Sequence, residues 1–297
     1  MADTAPRRLV VGASGQVGRC LLRRLGESAT GTHLNHPRAS GLPTQRMDVR
    51  DPDSVVSVFH LVRPSVVHLL AYDMADVHGS IIRGAENVLQ TASEHRARVV
   101  FLSTDMVFPG SGRAWREEDR AEPMSDYGRA KQRAEDMVLA GGGVVARTSL
   151  VYSLDPPDER VESLARGLAA GDWEYAYFTD EYRCPVYVED LCAGLVALEN
   201  VDPGVRRVWH VAGPELLSRH ELAVALARGL GCDPAAIPFT DLGGLAAKRP
   251  SRLELDVSRA MGLPGVRLRR VGEVVSEEVE AVRACRERFF GVEECNA

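Results

Sequence analysis

Lysine is nearly absent. Lys131 and Lys248 are the only two in 297 residues, and arginine supplies the rest of the 36 basic side chains. A chain that uses arginine almost everywhere singles out the places where it keeps lysine. Surplus positive charge is also missing, because 42 acidic residues bring the net charge to −6. That excludes a broadly basic surface for nucleic acid or an anionic membrane. No apolar run approaches the roughly 20 residues of a membrane-spanning helix. Met1-Ala2-Asp3-Thr4-Ala5-Pro6-Arg7-Arg8 runs into an apolar strand without the hydrophobic core of a signal peptide, so the expected location is the cytoplasm. Cys20, Cys184, Cys192, Cys232, Cys285 and Cys295 form no C-x-x-C pair. Scattered in a long chain, they are expected to be reduced thiols with no metal site. Internal repeats are missing too.

What is present is an alternation. Short apolar runs at 8–11, 30–34, 64–70, 98–103 and 143–148 read as strands. Between them, 17–25, 53–62, 81–95 and 127–139 carry apolar residues at helical spacing. Continuous apolar strands alternating with amphipathic helices predict a parallel sheet covered on both faces. This is a doubly wound α/β domain over 1–153, with its ligands at the carboxyl ends of the strands. Beyond 153 the rhythm loosens. Helices at 161–168, 188–198 and 218–230 and a strand at 207–211 predict a smaller, mixed C-terminal lobe over 154–297 for substrate. Segments near 186–212 are expected to return to the first domain. Ser218 and Glu221, three apart, carry a capping-box signal.

Gly12-Ala13-Ser14-Gly15-Gln16-Val17-Gly18 lies between the first strand and the first helix. Glycines at this spacing permit a tight turn and close backbone approach to a pyrophosphate, and the helix N-terminus supplies free N–H groups and positive dipole. Gly12, Ser14, Gly15, Gln16, Val17 and Gly18 are therefore expected to bind a dinucleotide. An NAD site typically has an acidic residue after the second strand, for the ribose 2′-hydroxyl. Here the run is Leu34-Asn35-His36-Pro37-Arg38. Without a carboxylate, and with Arg38 able to meet a 2′-phosphate, Asn35, His36 and Arg38 favour NADPH, with NADH as the alternative. Asp48, followed by Val49, stands where a carboxylate could accept from the adenine amino group. Leu70, Ala71, Tyr72, Ser103 and Thr148 end further strands along the same crevice.

Tyr127-Gly128-Arg129-Ala130-Lys131 sets a phenol and an ammonium four residues apart, on one helix face. A nearby ammonium favours phenolate and is expected to lower the tyrosine pKa, which suits proton transfer near neutral pH. The pair opens a helix soon after the strand that runs into Ser103-Thr104-Asp105-Met106-Val107-Phe108. A threonine hydroxyl there can polarise a substrate carbonyl.

Together these residues resemble the extended short-chain dehydrogenase/reductases, and more narrowly the dTDP-4-dehydrorhamnose reductase family. The resemblance covers nearly the whole chain. It is carried by the glycine loop, Ser103–Gly110, Glu117-Glu118-Asp119 before Pro123, and Tyr127–Lys131 with Glu135. Later marks are Arg147-Thr148-Ser149-Leu150-Val151-Tyr152, Pro185–Leu191 and Arg249–Asp256. It implies a Rossmann fold and hydride transfer to the C4 ketone of a nucleotide-linked 4-keto-6-deoxyhexose. Tyr127 would be the proton donor, Lys131 its partner on the nicotinamide ribose, Thr104 the carbonyl contact and Asp105 an orienting group. Met106, Val107, Arg183 and Arg249 would meet substrate, Arg249 at the pyrophosphate. A homodimer is a possible assembly.

One departure stands out. The family's longer segment after the strand ending at Leu70-Ala71-Tyr72 is cut to Asp73–Gly79, and Ile81 stands where an asparagine is expected. Two alternatives stay open. One is a reductase or epimerase on another keto substrate of secondary metabolism. The other is a dinucleotide-binding partner protein like the regulatory subunit of methionine adenosyltransferase, which resembles the same subgroup. Titration with both dinucleotides checks the reading of Arg38: NADPH is expected to bind more tightly, and a clear NADH preference would refute it.

Overall fold

The apolar runs become the centre of one parallel sheet. The computed structural model describes residues 7–35, 41–110, 112–202, 204, 207–243 and 249–291. Its seven main strands are β1 (Arg8–Val11), β2 (Ala29–His33), β3 (Thr44–Arg46), β4 (Val66–Leu69), β5 (Arg98–Thr104), β6 (Val144–Thr148) and β7 (Val208–His210). Their spatial order is 3-2-1-4-5-6-7, and every pairing is parallel. All residues of β4 and β6 are buried, as expected of strands covered on both faces. The connecting helices are α1 (Gln16–Leu25), α2 (Pro52–Val62), α3 (Gly84–Glu94) and α4 (Asp126–Ala140). They enclose two apolar cores, one containing Leu21 and Val100, the other Phe59 and Phe101. This is the expected doubly wound α/β architecture. The order reverses between β1 and β4, and a ligand crevice opens above such a point.

Two features depart from the sequence reading. β3 has no counterpart among the expected strands. It has three residues, all at least partly exposed, on the sheet edge, too few to show an alternation. The helix expected at 81–95 starts as a π-helical turn, His78–Arg83, before continuing as α3.

Further along lie α5 (Glu159–Ala170), α6 (Val188–Ala197) and α7 (Arg219–Gly229). Two later helices, Val271–Glu277 and Val279–Phe290, lie beyond the expected ones. Asp158 caps α5, and Gly171, with φ +68°, ends it. The capping box of α7 is formed. The Glu221 N–H donates to Ser218 Oγ at 3.0 Å, and the Ser218 N–H donates to Glu221 Oε2 at 2.7 Å. β7 pairs with β6, Val208 opposite Val145, and so extends the sheet. Among the described residues no helix is long and apolar enough to cross a membrane. Cys20, Cys184, Cys192, Cys232 and Cys285 are free thiols.

Helix α4 is fixed at its start and at its middle. Ser125 caps it, accepting from the Gly128 N–H at 3.1 Å. A buried ion pair ties its middle to β6. Arg147 donates from Nε to both Glu135 oxygens at 3.0 and 3.1 Å, and from Nη2 at 2.7 Å. Removing one partner of such a pair leaves the other charge buried and unpaired. Glu135→Ala is expected to destabilise the chain by about 3–5 kcal/mol in denaturant unfolding; a loss below about 1 kcal/mol would place Arg147's charge elsewhere.

Candidate active site

The glycine loop closes by backbone contact. Gly12 has φ +94°, and a Cβ there would meet the Ala71 nitrogen at 2.8 Å. At Gly18 a Cβ would strike the Gly12 carbonyl at 2.2 Å. These two positions hold β1, β4 and α1 together. Gly15 caps α1 without a side chain, and the first turn of α1 has no acidic residue. The helix N-terminus therefore offers its N–H groups and dipole with no internal anion competing. Gln16 Nε2, Ser103 Oγ and Thr148 Oγ1 are buried, and none has a hydrogen-bond partner among the described residues. Buried polar atoms without partners are uncommon in folded proteins. Their presence along this crevice fits a polar ligand such as a dinucleotide.

The adenine end is only partly described. Asn35 is exposed at the end of β2, while His36 and Arg38 lie outside the described residues. Asp48 is engaged by Arg50, which donates from Nε at 2.9 Å, Nη2 at 2.8 Å and its own N–H at 3.0 Å. These bonds, against a smaller burial effect, hold the Asp48 carboxyl below its ordinary range. The Val49 carbonyl accepts from Asn87 Nδ2 at 2.9 Å. Arg50 also reaches Asp76 at 3.3 Å, linking this corner to the short Asp73–Gly79 segment.

At the carboxyl ends of β4 and β5 the expected groups converge. The rings of Tyr72 and Tyr127 are 5.8 Å apart. Lys131 is buried beneath them, its Nζ donating to the Leu102 carbonyl at 2.9 Å. Nζ lies 4.6 Å from the Phe101 ring centre, 5.4 Å from that of Tyr72 and 6.0 Å from that of Tyr127. Thr104, buried and in register with Thr148, accepts from the Met106 N–H at 3.2 Å and donates to Asp105 Oδ1 at 3.3 Å. Its hydroxyl also touches that of Tyr127.

The electrostatics correct one expectation. The Tyr127 pKa is raised, not lowered. Burial is the largest cause, with Tyr72 and Asp105 adding to it, and only the Thr104 hydroxyl opposes it. Lys131 does not compensate, because it is itself desolvated. Burial pulls its pKa down to about 7, against partial support from Glu135.

Asp105 sits under Thr104 and is buried. Ser149 donates to its Oδ2 at 2.6 Å, and Arg183 Nε lies 3.7 Å from the same oxygen. Burial raises its pKa against the pull of Arg183 and Ser149. Val107 is buried in the core, whereas Met106 meets Arg183 Nη2 through its sulfur at 3.7 Å. Arg183 is itself buried and donates to the Tyr182 and Pro250 carbonyls at 3.0 Å each. Arg249 is more open, 3.2 Å from Glu181 and over the Phe178 ring at 5.5 Å. Ser149, Glu181 and Arg219 escape the sequence reading. Ser149 lies inside a run that carries the family resemblance, but Glu181 and Arg219 carry no local signal.

The family model described as "RmlD substrate binding domain" matches residues 7–283. A dTDP-4-dehydrorhamnose reductase of Streptomyces griseus is 32% identical over 287 residues, 88% of this chain and 90% of the relative. Methionine adenosyltransferase 2 subunit beta of Pongo abelii is 26% identical over 279 residues, 85% of this chain and 81% of the relative. Among solved structures, the dTDP-4-dehydrorhamnose reductase of Bacillus anthracis in complex with NADP superposes with a TM-score of 0.74. It is 21% identical, over 96% of this chain and 98% of that one. The chain belongs to the RmlD substrate-binding domain family.

Proposed function

We propose that this chain is an NADPH-dependent reductase of the C4 ketone of a nucleotide-linked 4-keto-6-deoxysugar. The observation that carries the reading is the meeting of the Thr104 and Tyr127 hydroxyls above buried Lys131, at the strand ends beside the glycine loop. The reductase relative supports the substrate class, and the NADP-bound neighbour supports the cofactor. Residues 1–153 would hold the dinucleotide and 154–297 most of the substrate.

The bound dinucleotide would supply the hydride. Thr104 would hold the ketone oxygen by a hydrogen bond, and Tyr127 would give that oxygen its proton. A phenol whose pKa is raised stays protonated at neutral pH, the state a proton donor needs. Asp105, fixed by Ser149 and Arg183, would orient Thr104. Lys131 would hold the nicotinamide ribose. Met106 and Arg249 would line the sugar-nucleotide side, with Arg183 supporting Met106 from below.

A second reading is favoured by the relative named as a subunit of another enzyme. In it the chain binds dinucleotide and a partner protein, without turnover. The purified chain is expected to oxidise NADPH when given a dTDP-4-keto-6-deoxysugar. Tyr127→Phe should lower kcat by about 10²–10⁴-fold while leaving dinucleotide binding intact. Full activity in Tyr127→Phe would remove it as the acid. A stable complex with another enzyme, and no turnover on any keto-sugar, would favour the subunit reading.

Lys131 gives a test in the absence of ligand. Unfolded, its amine titrates near 10.5, and folded near 7. Between these values the unfolded chain holds a proton that the folded one lacks, so stability rises with pH across that window. The burial penalty is fully present below pH 7. Lys131→Met is therefore expected to raise the Tm of the unliganded chain most at pH 6, with the gain shrinking between pH 7 and 10. A gain independent of pH would show that the lysine is not desolvated.

A further inference from the structure

Between α5, α7 and residues 175–181 lies a cavity of about 380 Å³. One wall is aromatic, with Tyr175 and Tyr177 at a ring distance of 5.2 Å. Leu164 and Leu222 line it further in, and Arg219 and Arg249 stand at its polar end. Beneath them is Glu181, fully buried. Its Oε1 lies 3.0 Å from both Arg183 Nη2 and Arg219 Nη2, and its Oε2 lies 3.2 Å from Arg249 Nη2.

Three guanidinium groups thus share one carboxylate. Burial pushes the Glu181 pKa up, but Arg219, Arg183 and Arg249 together outweigh it and keep the carboxyl ionised. Arg183 is enclosed and spends its remaining donors on carbonyls and Met106. Arg219 and Arg249 are different. Among the described residues Glu181 is the only hydrogen-bonding partner of either side chain, and their side chains remain 22% and 43% exposed. The cavity therefore presents spare N–H donors and excess positive charge at one end, and aromatic and aliphatic surface at the other. Arginine's planar donors suit phosphate oxygens, and aromatic faces suit a nucleobase.

We infer that Arg219 and Arg249 form a clamp for the diphosphate of a nucleoside diphosphate whose base lies on the Tyr175 and Tyr177 wall, and that Glu181 is the positioning residue that holds the clamp open. This rests on the proposed reductase function for the sugar that the nucleotide carries, but the clamp itself is tested by binding alone. Leu150, which lines the cavity, follows Ser149, the donor to Asp105, so the clamp borders the proposed reacting end.

The test is calorimetric titration of the full chain with dTDP, UDP, dTMP and thymidine, with excess NADP⁺ added to fill the glycine-loop site. The diphosphates are expected to bind at least tenfold more tightly than thymidine. Arg219→Gln should remove that preference while leaving thymidine and NADPH affinity unchanged, which a general loss of structure would not do. Glu181→Gln should weaken diphosphate binding although it adds net positive charge; tighter binding would overturn its positioning role. Unaltered diphosphate affinity in Arg219→Gln, or no diphosphate preference in the parent chain, would overturn the clamp. Keto-sugar turnover that is indifferent to Arg219 overturns the clamp and leaves the reductase. Arg219-dependent dTDP binding without turnover overturns the reductase and leaves the clamp.

Discussion

Arg183 is buried between two carboxylates, Asp105 at 3.7 Å and Glu181 at 3.0 Å. Charges removed from water must be paired, and each pairing here fixes an element. Through Asp105 the guanidinium reaches the end of β5, and through Glu181 it reaches the N-terminus of α7. Its bonds to the Tyr182 and Pro250 carbonyls bring two distant stretches of chain onto the same point. The Glu135–Arg147 pair does the same for α4 and β6. The candidate site is thus held by buried ion pairs at its base. Its exposed groups, Tyr72 and Arg249 among them, are carried on top of that base.

The lysine shows what happens when burial is not matched by a counter-charge. A phenol and an ammonium four residues apart on a helix should attract, and in water that would be the whole argument. Here both groups are desolvated, and burial dominates the shift of each. Tyr127 is held protonated, and Lys131 has one strong partner, a carbonyl. The groups that a dinucleotide would bring, ribose hydroxyls above all, are what this arrangement lacks within the chain. Its geometry is that of a site completed by its ligand, consistent with the unpartnered hydroxyls of Ser103 and Thr148 nearby.

Sequence made some of this legible and left the rest hidden, for physical reasons. Continuous apolar runs at β4, β5 and β6 announce strands buried on both faces. Gly12 and Gly18 announce close backbone contact, and Ser218 with Glu221 announces a helix start. These signals are local, written within a few residues. Tyr127 and Lys131 are legible in the same way, because a helix turns four residues into a spatial neighbourhood. The edge strand β3 is too short for any periodicity. The network of Glu181, Arg183, Arg219 and Arg249 is hidden because its members lie 2, 38 and 68 residues from Glu181 and meet only through tertiary packing. The sign of the Tyr127 shift is hidden as well, since it depends on how deeply the ring is enclosed.

The shortened Asp73–Gly79 segment illustrates how a local change can leave a site standing. A short link must still satisfy its backbone groups. Asp73 Oδ1 accepts from the Ala75 N–H at 2.9 Å, Asp76 Oδ1 accepts from the Gly79 N–H at 2.9 Å, and Ser80 Oγ donates to the Asp76 carbonyl at 2.7 Å. The adjoining π-helical turn accommodates an extra residue within a helical path. Ile81 and Ile82 are thereby buried in the core, and α3 proceeds normally. Covering is what the short link does not provide. Tyr72 remains 54% exposed and Met74 63% exposed beside the candidate site. The sheet and α4 fix Tyr127 and Lys131 independently of this rim. A change of substrate shape can therefore be accommodated at Tyr72 and Met74 without disturbing the groups proposed to do the chemistry.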